Sequence, residues 1–288
     1  MADVDFSLVV STRGRVDDIE KLFESLQKQL PQTFELILVD QNDDDILDDL
    51  VEKFSSVFPI KHHKVEFRGP GRGRAYGMRI AEGRIVAWPD DDCIYEEGVL
   101  EKVSNFFNEN PEYALFSAAC YDIDNRDDLG IGNQRSDAAE FSRINLYGIE
   151  FTLFFNLKKI DVEEHPLDED FGFCAKYRCS EGTDYVFSLM KAGFKGRYDP
   201  SAKIYHKTRS TQEILDKSFN YAFGEGASIS KHLRQGDLAA FYHFVRKMIV
   251  APVTKILMSA LLFRRVPLIA NTRRLSGIWS GFYSFEAK

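Results

Sequence analysis

The sequence predicts an α/β fold: a mostly parallel central sheet flanked by helices, followed by a C-terminal helical extension. Three observations predict it. Short apolar runs alternate with segments of helical spacing from Phe6 to Ala119. Acidic residues fall where two of the expected strands end, at Asp40 and at Asp90–Asp92. From Thr211 onward the pattern is helical and increasingly apolar. The expected division is therefore 1–210 for the α/β domain and 211–288 for the extension. With 288 residues, 44% of them apolar and 28% charged, the chain can build one sizeable core and carry an added segment.

Phe6 to Ser11 (FSLVVS) is apolar and rich in β-branched residues, which suits a first strand. Ile19, Leu22, Phe23 and Leu26 then share one helix face. Phe34 to Val39 (FELILV) reads as a second buried strand. Ile46 to Phe58 reads as a second helix, and Ile60 to Phe67 as a third strand. The segment Gly69–Gly73 is expected to be a Gly-rich turn leading into a helix over about 74–82. Arg84 to Trp88 (RIVAW) is a fourth strand. Glu97 to Asn108 is helical, and Tyr113 to Ala119 is a fifth strand.

Asp122 to Glu140 carries few apolar anchors and is expected to be a long surface loop, a common setting for lids and acceptor sites. Phe151 to Phe155 suits another strand, and Asp161 to Asp170 an acidic loop. Glu181 to Ala192 is an amphipathic helix with Tyr185, Val186 and Leu189 inward, ended by Gly193. A short strand pair is expected from there to His206. Two or three helices are expected over Thr211–Lys288.

Charge and cysteine usage narrow the function classes. A net charge of −8 and a pI of about 5.4 argue against general binding to nucleic acid. The charge is uneven. Phe241 to Lys288 contains eight Lys or Arg and one acid, Glu286, so it carries +7. Subtracting that from the total leaves −15 for residues 1–240. Such a tail suits an anionic surface, with dimerisation as the competing explanation. Cys93, Cys120, Cys174 and Cys179 show no Cys-x-x-Cys spacing, and the acidic start (Asp3, Asp5) lacks the charged region of an export signal. A reduced, cytoplasmic protein is expected, peripheral at the inner face of the cell membrane. The longest apolar run, Met248 to Phe263, is interrupted by Pro252 and Lys255 and is too short to span a bilayer.

The sharpest local feature is Trp88-Pro89-Asp90-Asp91-Asp92-Cys93. Three carboxylates at one strand end repel one another unless cations share the site. A divalent cation with hard oxygen ligands, Mg²⁺ or Mn²⁺, relieves that repulsion. The alternate residues Asp90 and Asp92 are placed to face it together. The competing reading is a solvated loop. Gly71, Gly73 and Gly77 suggest a dinucleotide turn, but they follow the third strand, where that fingerprint belongs after the first. Asp40 to Asp49 is not a calcium loop, because its sixth and twelfth positions are Asp45 and Val51.

Four segments in this order resemble the family 2 glycosyltransferases of the GT-A nucleotide-diphospho-sugar transferase fold. They are FSLVVSTRGR, ELILVDQND, GPGRGRAYGMRIAEGRIVAWPDDD and SEGTDYVFSLMKAGFKGRYDPSAKIYH. The resemblance covers roughly residues 5–207. It implies that Thr12 and Arg13 line a nucleobase pocket with Asp40, and that Arg74 lies near the donor diphosphate. Asp90, Asp91 and Asp92 would then face the donor and its Mg²⁺ or Mn²⁺, with Asp92 a direct ligand. His206 would be a further ligand or a diphosphate contact. Taken alone, His206 reads as an ordinary structural histidine.

Inverting relatives place a carboxylate at the start of the acceptor-side helix, commonly in a Glu-Asp pair. Here the Asp position is Gly182, within Ser180-Glu181-Gly182-Thr183-Asp184. Glu181 and Asp184 both remain candidates for the catalytic base. The implied reaction moves a sugar from a nucleotide-diphosphate donor to an acceptor hydroxyl with inversion, the acceptor being a glycan or lipid-linked glycan of a polysaccharide or O-antigen. Gly182 also permits a non-catalytic sugar-nucleotide-binding or scaffold protein. A nucleotidyltransferase is set aside because the lysine and glycine signature expected after the first strand is absent after Ser11.

Overall fold

The computed structural model describes residues 4–208 and 210–287; Asp3 and Lys288, counted above, lie outside them. The chain forms two compact units. The first comprises Met1–Leu167 and Tyr185–Thr208, the second Asp168–Asp184 and Arg209–Lys288.

The first unit holds the sheet. Its strands are β1 (Phe6–Thr12), β2 (Phe34–Asp40), β3 (Ile60–Lys64), β4 (Ile85–Ala87), β5 (Cys93–Tyr95), β6 (Tyr113–Asp122), β7 (Ala139–Glu140), β8 (Leu153–Asn156) and β9 (Lys195–His206). Their order is β3-β2-β1-β4-β8-β6-β9-β5, with β7 on β9. The run β3-β2-β1-β4 is parallel. Beyond it the sheet is mixed: β8 is antiparallel to both β4 and β6, β9 is parallel to β6, and β5 is antiparallel to β9.

Helices α1 (Val16–Gln27), α2 (Asp48–Ser55), α3 (Pro70–Ile80) and α4 (Val99–Glu109) follow successive strands. Side-chain alternation explains how they pack. Leu8, Leu36 and Leu38 point to one face, where they join Leu22 and Phe23 of α1 and Val103 of α4. Val9, Ile37 and Val39 point to the other, against Ala75 and Met78 of α3. Every residue of β2 is buried, as a central parallel strand covered on both faces must be.

Three expectations change here. The Gly-rich segment is the first turn of α3, with Pro70 at its start, where a missing N–H is no loss. Gly73 and Gly77 face β1; a Cβ at either would collide with the Ser11 or Val9 side chain. These two glycines thus let the helix lie close against the strand. The strand pair expected before His206 is one strand, β9, with an irregular register against β6 between Ala118 and Ala119. The short strand β5, pairing Cys93 with His206, has no counterpart in the sequence reading.

Helix α5 (Glu181–Lys191) begins at the expected place. The second unit contains α6 (Thr211–Arg234), α7 (Leu238–His243), a π-helical segment Phe244–Val250, α8 (Ala251–Leu261) and α9 (Arg265–Ser284). That is more helices than expected, because Gly236 and the Leu262–Arg264 turn interrupt the pattern. Ser210 and Glu213 close a capping box that fixes the start of α6. No helix among the described residues is long and apolar enough to cross a membrane.

We predict that Gly77→Ala destabilises the protein by about 1–3 kcal/mol through overpacking against Val9, and that adding Val9→Ala recovers part of the loss. Urea denaturation of the two variants checks both. Equal stability of Gly77→Ala and wild type would contradict the contact.

Candidate functional site

The carboxyl ends of β1, β2, β4 and β9 carry the predicted polar residues. In open α/β sheets this edge is where ligands bind. Asp90, Asp91 and Asp92 follow Pro89 directly after β4. The β5–β9 pairing sets Cys93 opposite His206, and Asp92, one residue earlier, lies beside the imidazole. His206 Nε2 is 3.1 Å from Asp92 Oδ1. Asp90, Asp92 and His206 each present one ligand atom, and these atoms lie within 4.8 Å of one another.

Cations and hydroxyls already share the carboxylate charge. Arg74, buried on α3, donates to Asp90 Oδ1 at 2.6 Å and lies over the Trp88 ring. Arg15 pairs with Asp92 and stands 3.4 Å from Asp91 Oδ1. Thr12 donates its hydroxyl to Asp91 Oδ2 at 2.7 Å. The three carboxyls titrate differently in consequence. Burial lifts Asp91 from its ordinary 3.8 to about 6, despite Thr12 and Arg15. Burial also pushes Asp92 upward, but the His206 and Arg15 partners outweigh it and hold Asp92 well below the usual range. His206 is raised, its burial being outweighed by the Asp92 hydrogen bond and charge.

The donor set fits a hard divalent cation: two carboxylates and one imidazole. His206 has the support that metal-binding histidines need. Its Nδ1 is 2.8 Å from the Lys207 carbonyl oxygen, so Nδ1–H donates there and Nε2 faces the carboxylates. The ring is stacked on Phe151, with centroids 4.8 Å apart.

Asp40, at the end of β2, is fully buried and in register with Thr12. Its Oδ1 accepts from the Asn42 backbone and side chain, and its Oδ2 is 2.9 Å from His62 Nε2. Arg13 sits at the rim, 3.2 Å from Asp43, which also pairs with Arg68. The acids Asp43–Asp49 do not cap α2, whose N-cap is Leu47 without a side-chain hydrogen bond.

Glu181 and Asp184, at the start of α5, belong to the second unit. Asp184 is buried, and both its oxygens are engaged. Oδ1 accepts from Ser228 at 2.8 Å and meets His232 Nε2 at 3.0 Å; Oδ2 takes Lys231 Nζ at 2.6 Å. Lys231 also reaches Asp168 at 2.9 Å. Burial raises Asp184, yet His232 and Lys231 prevail and lower it.

Four residues that contact the predicted ones do not stand out in the sequence: Arg15, His62, Gln41 and Phe151. Gln41 ties three elements, bonding Ser11 and the Gly69 carbonyl and accepting from Gly69 N–H at 2.7 Å. Arg15 and Gln41 stood inside the quoted STRGR and VDQND segments, which was a usable signal. His62 and Phe151 gave none.

A profile of the family described as Glycosyl transferase family 2 matches residues 7–179. Among curated proteins, the chain is 29% identical over 110 residues to the minor teichoic acid biosynthesis protein GgaB of Bacillus subtilis. It is 32% identical over 109 residues to the poly(ribitol-phosphate) beta-N-acetylglucosaminyltransferase TarS of Staphylococcus aureus. These matches take in 37% and 36% of this chain, and the chain spans only 12% and 19% of the two relatives. Among solved structures, S. aureus TarS 1–349 in complex with UDP-GlcNAc has a TM-score of 0.59 at 17% identity, covering 96% of this chain and 92% of that one. The mannosyltransferase PcManGT of Pyrobaculum calidifontis, in complex with GDP-Man and Mn²⁺, has a TM-score of 0.66 at 12% identity, covering 98% and 88%. Both structures share the fold.

The Asp91 environment predicts a pH-dependent stability. For an acid raised from 3.8 to about 6, the cost of the fold is absent below pH 3.8, grows between the two values and is complete above 6. Asp91→Asn should therefore stabilise the metal-free protein by up to about 3 kcal/mol at pH 7.5 and by about half as much at pH 5. Urea titrations at both pH values check this. A gain independent of pH would contradict it.

Proposed function

The chain belongs to glycosyl transferase family 2, and from that premise we propose that it transfers a sugar from a nucleotide-diphosphate donor to an acceptor hydroxyl, inverting the anomeric carbon. The observation that carries this reading is the convergence of Asp90, Asp92 and His206 beside Asp40 and Thr12 at one sheet edge. Residues 1–210 are assigned to catalysis and 211–288 to the helical extension.

The residues divide the work. Asp40, oriented by Asn42 and His62, recognises the nucleobase with Thr12 and Arg13. Arg74 and Arg15 hold Asp90 and Asp92 in place before the donor arrives, so little reorganisation is needed on binding. Asp91 completes the donor site through its bond to Thr12. Asp90, Asp92 and His206 would hold Mg²⁺ or Mn²⁺, which when bound supplies Lewis-acid neutralisation of the departing diphosphate.

Glu181 is assigned as the base that takes the acceptor proton. Asp184 is assigned to positioning, because its lowered pKa and its engagement with Lys231, His232 and Ser228 disfavour proton uptake. The acceptor class is a lipid-linked glycan of a surface polysaccharide or O-antigen, met at the cytoplasmic face of the membrane. The teichoic acid and poly(ribitol-phosphate) wording in the names of the two relatives supports a surface polymer. One observation favours a second reading, a non-catalytic sugar-nucleotide-binding or scaffold protein: Gly182 stands where inverting relatives carry an aspartate.

Calorimetric titration of UDP, GDP and dTDP, each with and without Mn²⁺, tests the donor site. One nucleotide should bind in a metal-dependent way, and Asp92→Ala should weaken it at least about tenfold. No binding of any nucleotide in either condition would overturn the reading. For the base, Glu181→Gln should lower kcat by about 10²–10⁴ with nucleotide affinity unchanged. Asp184→Asn should instead cost about 3–5 kcal/mol of stability, since it breaks a buried ion pair. Mn²⁺-dependent nucleotide binding without donor hydrolysis or transfer would select the scaffold reading.

A further inference from the structure

The second unit carries an apolar surface that its own fold does not cover. Helix α8 exposes Val253, Leu257 and Leu261, at helical spacing i, i+4 and i+8, with Met258 beside them. Of its eleven residues only Ser259 is buried. At the turn after it, Leu262 and Phe263 are 55% and 91% exposed. Phe263 has φ of +53°, a left-handed conformation that bulky residues adopt only under strain. The chain thus spends strain to hold a large apolar ring in solvent. A solvated tip would be built from polar residues or glycine.

Charge surrounds this surface and has one sign. From Leu238 to Phe285 the sequence has no Asp or Glu. Lys247 and Arg274 are used internally, both bonding the half-buried Glu225. Lys255, Arg264 and Arg265 are exposed and make no ion pair among the described residues. Lys255 lies on α8 two residues from Val253 and Leu257, so it projects from a different face, and the two arginines directly follow Phe263.

We propose that α8, the turn Leu262–Arg264 and the start of α9 form a docking surface for an anionic lipid bilayer. The apolar side chains enter the headgroup boundary, and Arg264 and Arg265 pair with lipid phosphates. The unit lies on the bilayer, since none of the described helices can cross it. A second copy of the chain is a poorer occupant. A two-fold contact sets each patch against itself, which brings the unpaired Arg264 and Arg265 of both copies together without an acid on either surface. This inference gives a physical surface to the peripheral localisation proposed above and rests on that reading only for location, since the lipid contact needs no donor chemistry.

Flotation with vesicles of phosphatidylcholine, with and without phosphatidylglycerol, tests the proposal on the full chain. Wild type should float with the anionic vesicles and lose affinity as salt rises. Arg264→Gln with Arg265→Gln should lower the partition about thirtyfold. Leu262→Ser with Phe263→Ser should lower it as well, with circular dichroism and nucleotide titration unchanged. Wild type that stays unbound, or variants that float as well as wild type, would overturn the proposal. Self-association lost in the same variants, without flotation, would assign the surface to a second copy and also overturn it. Flotation without nucleotide binding would keep this inference and remove the proposed function.

Discussion

Repulsion among three consecutive carboxylates is the constraint around which the first unit is arranged. Asp90, Asp91 and Asp92 are consecutive in the chain just beyond β4, so their charges stay close together. The fold answers each one separately. Arg74 reaches Asp90 from α3, Arg15 reaches Asp92 from the turn after β1, and Thr12 bonds Asp91. His206 arrives on β9 because β5 pairs with it directly after the triplet. The packing follows from the same need. Gly73 and Gly77 let α3 lie close to β1, and that closeness brings Arg74 to the end of β4. Even so, burial first and the neighbouring carboxylates second keep Asp91 raised to about 6, and such a cluster is suited to receive a cation.

Much of this was legible in the residues. Alternating apolar runs and helical spacings gave the layered α/β fold, because buried parallel strands need continuous apolar sequence. The aspartate triplet was legible from charge alone, and Asp40, Thr12, Arg74 and His206 from family resemblance. What escaped depends on distance along the chain. Arg15 meets Asp92 across 77 positions, and no local pattern encodes that pair. His62 lies on β3, whose IKHHK sequence looks like an ordinary polar edge strand. The start of α3 was misplaced because glycine usually breaks helices, and here tertiary contact with β1 overrides propensity. Asp184 was legible as a first-turn acid, but its partners lie on α6, 44 to 48 positions later.

The second unit follows a different logic. It holds a buried ion pair, Asp184 with Lys231, and a half-buried carboxylate, Glu225, shared by Lys247 and Arg274. Small residues let its two long helices approach: a Cβ at Gly226 or Gly281 would collide with backbone of the facing helix. Met248 and Ile278 pack inward with Ala222 and Ile229, while Val253, Leu257, Met258 and Leu261 of α8 and Leu262 and Phe263 after it are turned outward. The sequence showed the apolar and basic composition of this tail. Which residues face solvent depends on the turn at Phe263 and on the packing of α8, which composition does not encode.

In the proposed donor site Asp90, Asp92 and His206 act together on one cation. Histidine-selective NMR with Mn²⁺, in the presence of a nucleoside diphosphate that binds, tests it most directly. Sub-stoichiometric Mn²⁺ should broaden the His206 ring signals far more than those of His165, which packs against Phe194 and is not among the three clustered ligand residues, and Asp92→Ala should remove the effect. A His206 signal as sharp as that of His165, with the nucleotide bound, would contradict it.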